Sequence, residues 1–356
     1  MPEIKHHFVK TNGIRMHVAE SGEGFPIVMC HGFPEIWYSW RHQIKALAEA
    51  GFRAIAPDQR GYGDTDCPAP IEAYTQKQIV THIIGMLDAL GIRKCVIVGH
   101  DWGGMTAWNA PMMYPDRIER VIGINTPFIP RAPMKPTDAM NAMAAGNFHY
   151  VLYFQTPGVA EAELERDVAR SLRGFYQDPA NIDPAEMRKA PPGVFGAAGG
   201  GILDRMADRP HGKFLTDEDF EVFVRAFKKT GFRGGLNWYR NIDRNWEESA
   251  TLEYRVNQPA LMITAELERD VARTLRGFYQ DPPEIDPAEL RKAPPGVFGA
   301  AGGGILDRMS DRPYGKFLTE EDFEVFVRAF KKTGFRGGLN WYRNIDRNWE
   351  ESATLE

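Results

Sequence analysis

The sequence predicts an α/β protein, a doubly wound and mostly parallel sheet interrupted by a helical insertion. Three observations carry that reading. Short apolar runs alternate with amphipathic stretches through the first third of the chain. From about Pro130 the texture changes to Met, Ala, Pro and Gly, with helical pieces and no clear strand. One further apolar run, Gln258 to Ala265, then returns, so a helical insertion in an α/β core is the simplest account.

In chain order, His6 to Thr11 and Ile14 to Glu20 predict an opening hairpin, because the Asn12-Gly13 joint accepts the positive φ angles of a type I′ turn. Pro26 to Cys30, Arg53 to Ala56, Cys95 to Val98 and Arg120 to Ile124 predict buried, mostly parallel strands. Trp40 to Ala50 and Gln76 to Leu90 predict helices; Ile79, Ile83, Met86, Leu87 and Leu90 recur at helical spacing in the second. In the insertion, Phe220, Phe223, Val224 and Phe227 fall at i, i+3, i+4 and i+7 and predict an apolar packing face rather than a cofactor box. Pro191-Pro192-Gly193 and Gly199-Gly200-Gly201 punctuate loops. Without a preceding strand and a Lys-Ser/Thr ending, those glycines form no phosphate cradle.

Asp101 is the most informative residue. Val96, Ile97 and Val98 make a buried strand, Gly103 and Gly104 let a helix start almost at once, and the residue between is pushed up on a sharp turn. A hydrolase of this shape usually carries a serine there. A carboxylate of ordinary pKa, about 3.9, is ionised at neutral pH and attacks an electrophilic carbon without a base, so an exposed nucleophile is expected. Negative charge on the resulting ester needs backbone donors, and the loop after an earlier strand and the residue after the nucleophile supply them in such elbows. Here those are Phe33 and Trp102. His31 and His100 are expected to brace loops.

A length of 356 residues, 43% hydrophobic and 26% charged with net charge -5, suits a globular enzyme of about two domains and argues against a nucleic-acid partner. Cys30, Cys67 and Cys95 are odd in number and lack metal-ligand spacing, so a reducing compartment, the cytoplasm, is expected. Neither an N-terminal apolar signal nor a run of about 18 uncharged apolar residues occurs, so no membrane partner is expected.

Compared with itself, the chain repeats. Ala162 to Glu253 aligns without a gap to Ala265 to Glu356 at an offset of 103, with 85 of 92 positions identical. The differences are Ser171/Thr274, Ala180/Pro283, Asn181/Glu284, Met187/Leu290, Ala207/Ser310, His211/Tyr314 and Asp217/Glu320. Two units of this length are too few and too long for a solenoid, and the shared Ala-Glu dipeptide at each start marks a segment duplication, by crossover of related genes or by sequence assembly.

His31-Gly32-Phe33-Pro34-Glu35, Asp58-Gln59-Arg60-Gly61-Tyr62-Gly63, Gly99 to Gly104, Tyr150 to Gln155 and Gly231 to Asn241, taken in order, resemble the soluble epoxide hydrolases of the α/β-hydrolase fold. The resemblance covers residues 1–266. It implies a helical cap inserted after the sixth core strand, hence a core at 1–134, a cap at 135–253, a returning strand at 254–266 and a duplicated cap segment at 267–356. It further implies that Asp101 opens a small hydrophobic epoxide while Tyr150 and Tyr239 hydrogen-bond the leaving oxygen, with water as the second reactant and no metal or other cofactor. Tyr153 is expected to be an aromatic core residue, and Tyr342 repeats Tyr239.

The family activates water with a histidine oriented by an acid. The last histidine in this chain is His211, in the cap. Glu268 falls at the family's acid position, but its twin is Glu165 and a solvated helix face is its default. Ester hydrolysis is therefore expected to be impaired. A haloalkane or haloacid dehalogenase on the same fold, and a catalytically inactive chimeric binding protein, stand as alternatives. The second copy's Phe323, Phe326, Val327 and Phe330 must find a partner, which leaves a homodimer or domain swap among the outcomes.

Overall fold

Alternating apolar runs become a seven-stranded sheet. Its strands are β1 (Lys5–Thr11), β2 (Ile14–Ser21), β3 (Pro26–Cys30), β4 (Arg53–Pro57), β5 (Cys95–His100), β6 (Ile118–Ile124) and, after a separate pair β7 (Phe148–His149) and β8 (Phe195–Gly196), β9 (Ala260–Ile263). The computed structural model describes residues 3–177, 195–196 and 199–263. The second copy of the repeat, with Glu268 and Tyr342, lies outside these residues, as does Pro191-Pro192-Gly193.

Strand order is β1-β2-β4-β3-β5-β6-β9. β1 and β2 pair antiparallel through the Asn12-Gly13 turn, where φ is 44° and 83° as a type I′ turn requires. β2 joins β4 antiparallel, while β3/β4, β3/β5 and β5/β6 are parallel. Cys30 is in register with Gly99, so the chain leaves β3 and β5 at the same edge. Loops from adjacent parallel strands converge there, the usual position of a site in such a sheet.

The expected helix from Trp40 divides into a 3-10 turn, Trp37–Trp40, and α1 (Arg41–Glu49). α2 (Gln76–Ala89) is capped by the Thr75 side chain and buries Ile79, Ile83, Met86 and Leu87. α3 (Trp102–Met113) follows Asp101 without an intervening loop.

The insertion folds into α4 (Pro136–Ala144), α5 (Tyr150–Tyr153), α6 (Val159–Leu164), α7 (Val168–Phe175), α8 (Asp217–Thr230), α9 (Arg233–Arg240) and α10 (Ile242–Glu248). It is not free of strand, because Phe148–His149 pairs antiparallel with Phe195–Gly196. Two residues a side are too short to leave an alternating pattern in the sequence. α8 begins in a capping box between Thr216 and Asp219 and buries Phe220, Phe223, Val224 and Phe227 as its spacing predicts. These pack with Phe154, Leu164, Leu172, Phe232 and Trp238 in one apolar cluster. No helix among the described residues is long and apolar enough to cross a membrane.

Polar contacts fasten the insertion to the sheet layer. Tyr38 Oη and Arg41 Nη2 donate to the two Asp219 carboxylate oxygens at 2.8 and 3.0 Å. Trp238 Nε1 donates to the Arg60 carbonyl at 3.2 Å, and Tyr176 Oη to that of Pro34 at 2.7 Å. Each joins α7, α8 or α9 to the β3 or β4 side of the core.

Candidate active site

Asp101 occupies the strand-to-helix elbow with φ 53° and ψ -123°, a conformation costly for any residue with a Cβ. Two close approaches make the turn feasible. A Cβ on Gly103 would lie 2.0 Å from the Cys30 carbonyl oxygen, and one on Gly99 1.9 Å from that of Gly103. Only glycine lets β3, β5 and α3 come together so closely.

The Asp101 carboxylate faces the β3 loop. Phe33 N–H donates to Oδ1 at 2.8 Å, and the Trp102 N–H also bonds the carboxylate. Both sequence-predicted donors thus meet at Asp101. The expectation of an exposed Asp101 of ordinary pKa is met only in part, because its side chain is half-buried on the wall of a cavity. Burial pushes its pKa up to about 6; the Phe33 and Trp102 donors pull it down and the Glu35 charge pushes it further up.

Glu35 escaped the sequence reading. Its Oε2 accepts from Gly32 N–H at 2.7 Å, and its Oε1 lies 3.1 Å from His100 Nδ1. Burial works against its charge, but the bonds from His100 and Gly32 hold its pKa below the usual value, and Glu35 in turn raises that of His100 against desolvation. The pair ties the β3 loop to the end of β5, one residue before Asp101. Only its place three residues after Gly32, within the loop motif, could have drawn attention to it.

His31 is fully buried, with Nδ1 3.0 Å from the Gly32 carbonyl and Nε2 accepting from Gln59 N–H at 3.0 Å. It braces the loop, as expected. Tyr153 donates to Glu163 Oε2 at 2.7 Å and packs beside Phe148, so its hydroxyl is occupied away from Asp101.

Tyr150 opens α5 and Tyr239 sits in α9, 89 positions later in the chain. Their rings nevertheless meet at a centroid distance of 5.8 Å, with Phe154 5.6 and 5.0 Å from them. Trp102 packs edge-on against Tyr239 at 5.0 Å. Burial and then the Asp101 charge raise the Tyr150 pKa to about 12, and the same causes lift Tyr239 well above its usual value. Both phenols are therefore neutral donors at pH 7.

Asp101, Trp102, Tyr150 and Tyr239 line one cavity of about 510 Å³, completed by side chains such as Met105, Met140, Ile242 and Trp246. No histidine is among its lining residues, and no group of metal-ligating side chains occurs among the described residues. A half-buried carboxylate held by two backbone donors, with two neutral phenols lining the same largely apolar cavity, can attack a carbon while a phenol protonates the oxygen displaced.

A family model described as the alpha/beta hydrolase fold matches residues 26–269. The chain belongs to the α/β-hydrolase family. Among its relatives, Epoxide hydrolase A of Mycobacterium tuberculosis is 45% identical over 262 residues, 72% of this chain and 80% of that protein. Bifunctional epoxide hydrolase 2 of Mus musculus is 43% identical over 268 residues, 74% of this chain but only 47% of that protein, so the match spans about half of the mouse chain. The crystal structure of Epoxide Hydrolase A from Mycobacterium thermoresistibile superposes with a TM-score of 0.69 at 42% identity, covering 74% of this chain and 82% of that one. The α/β-hydrolase fold with an inserted helical layer, expected from the motifs, is the fold of this chain.

Proposed function

We propose that this enzyme opens small hydrophobic epoxides by attack of Asp101. The convergence of the Asp101 carboxylate and the Tyr150 and Tyr239 phenols on one apolar cavity carries the reading, and the epoxide hydrolase relatives support it. With Oδ1 held by Phe33, the other carboxylate oxygen attacks one ring carbon. Its new C–O bond forms as the ring C–O bond breaks, and the departing oxygen takes a proton from the phenol pair, leaving a hydroxyalkyl ester on Asp101. Water attacking the ester carbonyl would place negative charge on Oδ1, which Phe33 N–H already meets, with Trp102 N–H as a second donor to the carboxylate, and would release a vicinal diol.

That second step has no histidine among the described residues that line the cavity, so the ester is expected to outlive its formation. Glu268, outside the described residues, keeps the solvated-face role proposed from the sequence. Incubation of the folded protein with styrene oxide followed by mass spectrometry tests the reading. An adduct of one epoxide mass on the Asp101 peptide is the expected result, and unmodified Asp101 on folded protein overturns it. The core, cap, returning strand and duplicated segment remain the proposed domains, without metal or cofactor. Exchange of a cap segment between two chains is the proposed route to a homodimer, which light scattering would read as a doubled mass. The unpaired cysteines support a cytoplasmic location.

A further inference from the structure

α9 has a second working face. Tyr239 looks into the Asp101 cavity, whereas Arg233, Asn237 and Arg240, at i, i+4 and i+7, line a separate groove of about 840 Å³. The α8–α9 junction, the start of α6 and core residues Ala69 and Ile71 form its other walls.

Four cations, Lys228, Lys229, Arg233 and Arg240, and two carboxylates, Glu161 and Glu165, border the groove. The carboxylates are already engaged. Glu161 takes Arg240 Nη1 and Nη2 at 2.6 and 2.8 Å and the Gly158 N–H at 2.9 Å, and Glu165 accepts from Phe232 N–H at 2.8 Å. Lys229 is paired with Asp64. Lys228 and Arg233 are exposed and make no hydrogen bond or ion pair among the described residues. Asn237 is fully buried; its Oδ1 accepts from Arg240 at 3.0 Å, but its Nδ2 has no acceptor. Two unpaired cations in a groove whose carboxylates are already engaged call for a ligand made of acceptors.

We propose that this groove binds a small oxyanion, a phosphate or a polycarboxylate, and that its occupancy modulates alkylation at Asp101; the second half rests on the function proposed above. The coupling runs through two hydrogen bonds. Arg240 Nε donates to the Phe154 carbonyl at 3.0 Å, at the end of the helix that carries Tyr150, and Gln155 Nε2 donates to the Tyr239 carbonyl at 3.0 Å. Phe154 packs on both phenol rings. An anion that draws on Arg240 shifts this clamp, and with it the spacing of the two tyrosines.

Calorimetry on the full chain with inorganic phosphate and with citrate, each against sodium chloride of equal ionic strength, tests the site and separates the two anions. Saturable binding of at least one is expected, weakened about tenfold in the Lys228→Gln, Arg233→Gln double variant. Absence of saturable binding by both anions, or binding unchanged in the double variant, overturns the site. Asp101 alkylation timed by mass spectrometry should change with the bound anion in the parent chain and not in the variant, whose residues lie outside the cavity. Binding with no change in that rate overturns the modulation. Should Asp101 never alkylate, the chemical reading fails while calorimetry still decides the site.

Discussion

The two walls of the Asp101 cavity are held in different ways. The core wall is backbone: a left-handed φ at Asp101, glycines at van der Waals limits, and N–H donors from two loops that leave parallel neighbouring strands. The insertion wall is side chains, with Tyr150 and Tyr239 placed by aromatic packing around Phe154 and by one amide, Gln155, reaching the α9 backbone. The first wall is fixed wherever the sheet forms, and the second only while the insertion sits on it. Asp101 should therefore tolerate little change at its neighbours, and Tyr150 and Tyr239 should tolerate more.

The largest expected effects lie on the core wall. Gly103→Ala drives a methyl into backbone atoms that cannot yield, so we expect a loss of about 3 kcal/mol or failure to fold, read by urea denaturation. Asp101→Asn should abolish the epoxide adduct. It should also stabilise the protein at pH 7 by roughly 2 kcal/mol, because burying a carboxylate at pKa about 6 against 3.8 unfolded means stability falls as pH rises between those values. At pH 4 the gain should be nearly gone; equal stabilisation at both pH values would contradict the burial argument. For the same reason, adduct formation in the parent should rise with pH through about 6 and level off near 7.

The insertion wall should respond less steeply. Replacing both Tyr150 and Tyr239 by Phe should slow ester formation by roughly 10²–10⁴-fold while the protein stays folded. A haloalkane, which has no oxygen to protonate, should react with the variant as it does with the parent. If the double variant alkylates with epoxide at the parent rate, the phenols are not the donors. Smallest is Asp219→Asn. Burial raises its pKa, but Tyr38, the Thr216 backbone and Arg41 bring it down to about 2, so its contribution is present above pH 4 and lost as pH falls toward 2. Its removal should cost about 1 kcal/mol in thermal denaturation at pH 7 and nothing near pH 2.

Much of this molecule is legible in its sequence because the signals are local. The strand of β-branched residues before Asp101 and the glycines after it specify the elbow within nine positions, and the α8 spacing fixes which face is buried. Asn12-Gly13 specifies its own turn. The division of the helix at Trp40 and the Phe148–Gly196 strand pair were not legible, since short 3-10 turns and two-residue bridges leave no period. Glu35 was missed because its partner, His100, is 65 positions away and meets it only when β3 and β5 become neighbours.

By itself the sequence determined the elbow that carries Asp101, the two backbone donors and the layer order, all consequences of neighbouring residues and the steric limits of the backbone. Tertiary structure alone decided that the carboxylate is half-buried and shifted to about 6, that two tyrosines 89 positions apart share its cavity, and that α9 turns a charged face to a second groove. Those properties depend on which surfaces exclude water from one another, and that is a relation between segments rather than a property of any one of them.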